Sequence, residues 1–217
     1  MKNKYLESVN IKETNPLLVS LKKYADTNNV PIITNEGIHF INQIILLSNV
    51  KNVLEIGTAI GYSAINMALK HDVSVTTIER NNEMYELAKI NIKKAKLEKK
   101  ITLINSDALE LDETTMEMFD LIFIDAAKAQ SINFFNKYKK KLNDSGIIIT
   151  DNLLFHDLID QSAKTRNLRQ LLRKIDNFNK FIVEQKDFNT YLYQLGDGMS
   201  LSIKKRKWYY GISCNTI

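Results

Sequence analysis

Cysteine is nearly absent from this chain. Cys214 is the only one in 217 residues, which excludes an intramolecular disulfide and any cysteine-rich zinc site. No apolar run approaches the roughly 18 residues that a membrane span requires. Histidine is scarce as well: His39, His71 and His156 share no metal-ligand spacing and are expected to be structural, with His156 close enough to Asn152 to line a site beside it. Met1 to Asn10 lacks an apolar stretch followed by small residues, so no signal peptide is expected. Repeats, low-complexity segments and linkers are missing too. The expectation from these absences is a cytoplasmic protein in a reduced setting, folded as one domain over residues 1–217.

What is present is ordinary in bulk and uneven in charge. The chain is 44% hydrophobic and 25% charged, with a net charge of +5. Residues 160–217 carry 11 Lys and Arg against 5 Asp and Glu, a balance of +6, so the rest sums to −1. A local basic surplus of this kind attracts a polyanion or merely solvates a face.

Residues 1–48 read as a helical cap. Leu17, Leu18, Leu21 and Tyr24 keep helical spacing, Pro31 interrupts, and a second helix is expected from Asn35, as a capping residue, through Ile38, Ile41, Ile45 and Leu46. The pattern then changes over 49–206. Apolar runs rich in β-branched residues occur at Val53–Ile56, Val73–Ile78, Ile101–Ile104, Leu121–Ile124 and Ile147–Thr150, separated by helix-length segments such as Asn81–Lys96 and Gln130–Leu142. Continuous apolar strands alternating with helices predict an α/β fold with a parallel sheet covered on both faces. Tyr191–Leu195 and Met199–Lys204 flank Gly196-Asp197-Gly198 and predict a closing antiparallel hairpin. Residues 207–217 form a tail to which no role is assigned.

In such a sheet, ligands bind at the carboxyl ends of the strands, near the point where strand order reverses. The first run ends Glu55-Ile56-Gly57-Thr58-Ala59-Ile60-Gly61, where glycines permit a tight turn and close approach to a ligand. Ala59 stands where a dinucleotide fingerprint has its middle glycine, which argues for a ligand without a pyrophosphate. Glu79 ends the second run, and a carboxylate there can accept both ribose hydroxyl hydrogens. The third run leads to Ser106-Asp107-Ala108, where Asp107 can accept from an exocyclic amine such as that of adenine. The fourth delivers Asp125 and the fifth Asp151 and Asn152. Two carboxylates and an amide oxygen at adjacent strand tips are hard ligands suited to Mg²⁺. Lys128, three residues past Asp125, can act as a base when partly desolvated beside a cation.

These stretches resemble the metal-dependent, catechol-type O-methyltransferases: Val53–Ser63, Glu79-Arg80, Phe123-Ile124-Asp125-Ala126-Ala127-Lys128 and Ile149-Thr150-Asp151-Asn152. That family includes animal catechol and plant caffeoyl-CoA enzymes and bacterial relatives. The resemblance runs from about Pro31 to Lys205. Val30-Pro31-Ile32, Asn133-Phe134-Phe135, Lys174-Ile175-Asp176 and Gly196-Asp197-Gly198 place it nearest the bacterial branch that methylates 5-hydroxyuridine in tRNA. It implies a Rossmann-like, seven-stranded, mostly parallel sheet with extra N-terminal helices, and S-adenosylmethionine (SAM) plus a divalent cation such as Mg²⁺. Carried over, the cofactor contacts fall at Ile33, Glu55, Gly57, Ser63, Glu79, Asp107, Ala108 and Asp125. The metal ligands fall at Asp125, Asp151 and Asn152, and the base at Lys128.

The resemblance also implies a homodimer and no membrane association. Two departures stand out: the extension Lys207–Ile217, with Trp208-Tyr209-Tyr210, and Ala129 in place of a glycine. The acceptor expected from the resemblance is a wobble 5-hydroxyuridine of tRNA, methylated to 5-methoxyuridine, with a small catechol-like or phenylpropanoid molecule as the alternative, since each offers two adjacent oxygens. A helix expected over Ser162–Phe181 would bury Leu168, Leu171, Leu172, Ile175 and Phe178. It would turn Arg166, Arg169, Arg173 and Lys180 to another face, which could hold a tRNA anticodon stem by its phosphates.

Overall fold

The computed structural model describes residues 4–155 and 165–206. His156, Trp208, Tyr209, Tyr210 and Cys214 lie outside the described residues. Three helices, α1 (Lys4–Val9), α2 (Pro16–Asn28) and α3 (Asn35–Leu47), precede the first strand. Then follow β1 (Asn52–Ile56), α4 (Tyr62–Lys70), β2 (Ser74–Glu79), α5 (Asn82–Ala95), β3 (Ile101–Asn105), β4 (Phe119–Ile124), α6 (Ser131–Tyr138), β5 (Leu142–Thr150), α7 (Arg166–Val183), β6 (Phe188–Tyr193) and β7 (Met199–Lys204). The seven strands form one sheet in the order β3-β2-β1-β4-β5-β7-β6. The first five are parallel; β7 runs antiparallel to both β5 and β6. This is the expected parallel sheet with a closing hairpin, and its order reverses between β1 and β4.

Side-chain alternation along the strands divides the core in two. On one face Val53, Leu121, Phe123 and Ile149 pack with Leu18 and Leu21 of α2, Ile38 and Ile41 of α3, Ile65 of α4 and Ile92 of α5. On the other, Leu54, Ile56, Ile122, Ile124 and Ile148 pack with Phe134 and Phe135 of α6 and Phe178 and Ile182 of α7. Because both faces are covered, the strands need no polar alternation, which is why they read as continuous apolar runs.

Helix ends follow local chemistry. The Asn15 side chain accepts from the Leu17 and Leu18 amides just before Pro16 opens α2, and the Asn81 side chain accepts from Met84 N–H at the start of α5. The expected cap of α3 shifts by one residue. Thr34, not Asn35, is the cap, its side chain accepting from Gly37 N–H, and Asn35 instead takes the Lys22 ammonium at 2.7 Å. Leu46, expected on the apolar stripe of α3, is exposed, as is Tyr24 on α2.

The helix expected to reach Leu142 stops at Tyr138. Lys139–Lys141 form a 3-10 turn and Leu142 already pairs with Phe119 across the sheet. α7 buries Leu172, Ile175, Phe178 and Ile182, whereas Leu168 and Leu171 nearer its start are only half-buried. Among the described residues no helix is long and apolar enough to cross a membrane.

Phe135 ties three elements together. It is fully buried and meets Phe181 of α7 and Phe188 of β6 edge-on, with ring centroids 5.7 and 5.2 Å apart. Phe135→Ala is expected to cost about 3–5 kcal/mol, read as a lower urea midpoint with an unchanged slope.

Candidate active site

Each parallel ladder continues one residue past its strand. Gly57 N–H donates to Ile78 C=O (3.0 Å), Ser106 N–H to Glu79 C=O (3.1 Å), Asp125 N–H to Ile56 C=O (2.9 Å) and Asp151 N–H to Ile124 C=O (3.2 Å). The residue following each strand is thereby held in register with its neighbours. The result is a row of loop residues along the carboxyl edge of the sheet, over a cavity of about 790 Å³.

Ile33, Gly57, Ser63, Glu79, Asp107, Ala108, Asp125, Asp151 and Asn152, all named from the sequence, line this cavity. Glu55 and Lys128 do not. Lys128 instead lines a small neighbouring gap with Thr150, Asp151 and Asn152 and with Ile175 and Phe178 of α7. Glu55 is fully buried behind the first loop, accepting from Ser63 Oγ and from Thr77 Oγ1 (2.6 Å). Thr58 Oγ1 extends this chain to Thr77 at 2.5 Å. Burial raises the Glu55 carboxyl to about 8, against the pull of Ser63 and Thr77 and with the added push of Asp125 and Glu79. It is a support of the loop rather than a wall of the cavity.

Gly57 cannot be replaced without moving the next strand tip. Its φ is +101°, and a Cβ there would lie 2.1 Å from the Asp125 carbonyl oxygen. Ala59, also at positive φ, donates its N–H to Glu79 Oε2 at 2.9 Å, while Asn81 N–H donates to Oε1 at 2.8 Å. The Glu79 carboxylate is therefore clamped by two backbone amides at the tip of β2. Each of its oxygens keeps a second lone pair for a ligand hydroxyl.

At the tips of β4 and β5 the acidic groups converge. Asp125 Oδ1 accepts from Lys128 Nζ at 3.0 Å and from Asn152 Nδ2 at 2.9 Å. Asp151 is buried, and its Oδ1 accepts from Asn152 N–H at 2.7 Å. Burial first, and then the negative charge of Asp125, push the Asp151 carboxyl well above the ordinary carboxylate range. Asn152 has φ +65°, a conformation asparagine tolerates better than most residues.

Among the described residues no three His, Cys, Asp or Glu side chains form a metal cage. The donor set is instead two carboxylates and an amide. Its chemistry fits a hard divalent cation, because two carboxylates held this close in low dielectric need compensating positive charge, and a 180° turn of the Asn152 amide would present its oxygen.

Two parts of the cavity wall were not read from the sequence as such. Asn28 to Ile32 and Thr34 join Ile33 in roofing the cavity before α3. Gly196 and Asp197, read as a hairpin turn and as part of the resemblance but not as cavity wall, also line it. That turn holds the loop after β5, since Leu153 N–H donates to Gly198 C=O and Leu154 N–H to Asp197 C=O. The signal was the Gly-Asp-Gly composition, but nothing local says which loop a hairpin turn will touch.

The strand order and the pocket across its switch point define an α/β Rossmann-like methyltransferase fold. More narrowly, the chain belongs to the O-methyltransferase family, whose model matches residues 7–205. A caffeoyl-CoA O-methyltransferase of Populus kitakamiensis is 30% identical over 190 residues, covering 83% of this chain and 80% of that one. An Arabidopsis thaliana protein provisionally assigned to the same activity is 31% identical over 189 residues, covering 84% and 81%. A similarly assigned Staphylococcus aureus structure superposes with a TM-score of 0.87 at 40% identity, over 93% of this chain and 98% of that one. The Bacillus cereus O-methyltransferase in complex with SAH shares the fold, with a TM-score of 0.79 at 24% identity over 93% and 96%.

The buried Glu55 has a readable consequence. Its folded pKa of about 8 lies above the ordinary 4.5, so between these values the native state keeps a proton that the unfolded chain gives up. Its contribution to stability is full below about 4.5, falls as pH rises, and is lost above about 8. In melting curves, the difference between wild type and Glu55→Gln should shift steadily in favour of the variant from pH 5 to 8. A difference independent of pH would contradict the assignment.

Proposed function

We propose that this chain transfers the methyl group of SAM to a hydroxyl oxygen, with a divalent cation held by Asp125, Asp151 and Asn152. One observation carries the proposal: the acidic pair Asp125 and Asp151, with the Lys128 amine beside Asp125, lines the same cavity as Glu79 and Asp107, which stand at the tips of β2 and β3 on its other side. That spacing of roles suits a nucleoside with a methyl donor at one end and an acceptor over the carboxylates.

Gly57 and Ala59 let the backbone approach the cofactor, Glu79 accepts from its ribose hydroxyls, and Asp107 accepts from its adenine amine. A bound divalent ion would lower the acceptor hydroxyl's pKa and fix its direction. The acceptor oxygen forms a bond to the methyl carbon as the carbon–sulfur bond breaks, which leaves S-adenosylhomocysteine. The hydroxyl proton passes to Lys128. Lys128 Nζ lies 3.0 Å from Asp125 Oδ1, which places it beside the reacting hydroxyl, and it takes the proton when it enters the reaction as the free amine. Orientation supplies much of the remaining rate.

The acceptor we infer is a small aromatic molecule with two adjacent oxygens, as the caffeoyl-CoA relatives suggest. A second reading, a wobble 5-hydroxyuridine in tRNA, is favoured by α7. Arg166, Arg169 and Arg173 are exposed on it and make no salt bridge among the described residues, while Lys180 is occupied by Asp176 at 2.7 Å.

Asp151→Ala should reduce methyl transfer by on the order of a hundredfold or more, as should chelation of divalent ions, with recovery on adding Mg²⁺ to wild type only. Normal turnover by Asp151→Ala would sink the metal-assisted route. For the acceptor, Arg169→Glu with Arg173→Glu should leave turnover of a catechol unchanged. Nucleoside mass spectrometry showing that the same variant stops forming 5-methoxyuridine in tRNA would decide for the second reading.

A further inference from the structure

One peptide group in the loop after β3 is held from both sides. The carbonyl of Ala108 accepts from Tyr138 Oη at 2.7 Å, and the N–H of the same peptide, on Leu109, donates to Asp107 Oδ1 at 2.8 Å. Tyr138 is fully buried at the end of α6, where burial and the charges of Glu113 and Asp107 keep its hydroxyl protonated. It therefore serves as a donor.

The neighbouring Lys137 continues the grip. Its Nζ donates to the carbonyls of Leu109, at 2.7 Å, and Leu111, with Glu113 at 3.8 Å as its counter-charge. Nothing in the proposed chemistry uses either side chain.

We propose that Tyr138 and Lys137 are positioning residues that set the recognition of the cofactor's adenine. The inference rests on the reading of Asp107 as the acceptor for the adenine amine. The chain Tyr138 O–H, Ala108 C=O, Leu109 N–H, Asp107 Oδ1 runs through a polarisable peptide, so each bond strengthens the next. It commits Oδ1 of Asp107 to the backbone and leaves Oδ2, which faces Arg80 at 3.8 Å, as the oxygen on the ligand side. Lys137 stops the following two residues from turning that peptide over.

The same helix begins at Ser131, whose hydroxyl donates to the Lys128 carbonyl at 3.1 Å, and presents Phe134 to the cavity. α6 is thus a strut between the base at one end of the site and the adenine loop at the other.

The test compares binding of S-adenosylhomocysteine and S-inosylhomocysteine, whose exocyclic amine is replaced by oxygen. Calorimetry is run on wild type, Tyr138→Phe, Lys137→Met and Lys137→Arg. Wild type should prefer the adenine form by on the order of tenfold or more, as for a hydrogen bond to a charged acceptor. Tyr138→Phe and Lys137→Met should weaken adenine binding about fivefold and narrow that preference, raising KM for SAM while kcat holds. Lys137→Arg should restore both.

Variants that keep the wild-type preference would overturn the inference. Wild type that binds neither compound would instead overturn the methyltransferase reading itself, so the two failures are distinguishable. Thermal melts check folding. Lys137→Met, at a side chain that is not fully buried, carries the test where Tyr138→Phe does not fold.

Discussion

The site depends on a backbone interaction. Asp125 and Asp151 are brought together because the amide of each donates to the last carbonyl of the preceding strand, Ile56 and Ile124. Parallel strands in register leave no other choice: once Ile56 pairs beside Ile124, and Ile124 beside Thr150, the next residues stand side by side. The close approach of β1 and β4 that this requires is possible because Gly57 has no Cβ to strike the Asp125 carbonyl. Electrostatics alone would separate two carboxylates. Here the ladder, backed by the apolar packing of Ile122, Ile124 and Ile148 against α6 and α7, holds them together. The repulsion becomes a demand for positive charge at that spot, met in the structure by Lys128.

The same logic runs along the whole edge. Glu55, Glu79 and Asp151 are all buried, and burying a carboxyl costs free energy unless it is paired or protonated. Each is handled differently. Glu55 takes two hydroxyl donors and a raised pKa, Glu79 is clamped by the amides of Ala59 and Asn81, and Asp151 takes the Asn152 amide. These solutions also fix geometry: an acid clamped by two backbone N–H groups cannot swing when a ligand arrives. The loop after β1, bonded to Glu79 through Ala59 and resting on Glu55 through Ser63, is rigid for the same reason.

How much of this could be read beforehand follows from what is local. The five parallel strands, the hairpin and the acidic residues at strand tips were legible, because apolar runs and the residue that ends each one are adjacent in sequence. Gly57, Glu79, Asp107, Asp125, Asp151 and Asn152 were found that way, and all line the cavity. What was not legible depends on a distant partner. The side on which Lys128 lies is set by α7. The turn at Asp197 reaches the site only because β7, not β6, lies against β5. The end of α6 was misjudged by four residues because the lysines after Tyr138 suit a helix, whereas the pairing of Leu142 with Phe119 overrides them. Glu55 looked like a ligand contact from its motif, and only packing reveals that it faces inward.

The acceptor question turns on a difference between the two faces of α7. Its apolar side is dictated by the core: Leu172, Ile175, Phe178 and Ile182 must cover the sheet, and their spacing follows from helical geometry. Nothing in folding dictates the charges opposite. Acids placed three or four residues from a basic side chain steady a helix: Asp176 pairs with Lys180 at 2.7 Å and also stands one turn from Arg173, whereas Arg166 and Arg169 have no acid so placed within α7. Arg166 and Arg169 also lie in the first turn of α7, where the helix dipole disfavours positive charge. Arg166 and Arg169, exposed at the unfavourable end and without a salt bridge among the described residues, therefore do little for the fold. An arrangement that costs stability in isolation gains a reason if an anion completes it, and a phosphate backbone is one such anion. A small phenolic acceptor would not need that stripe, which could then serve only as a solvated face, whereas the carboxylate pair at the strand tips serves either acceptor equally. The two acceptor readings thus rest on different features: both share the strand tips, and the tRNA reading adds only the exposed arginines of α7.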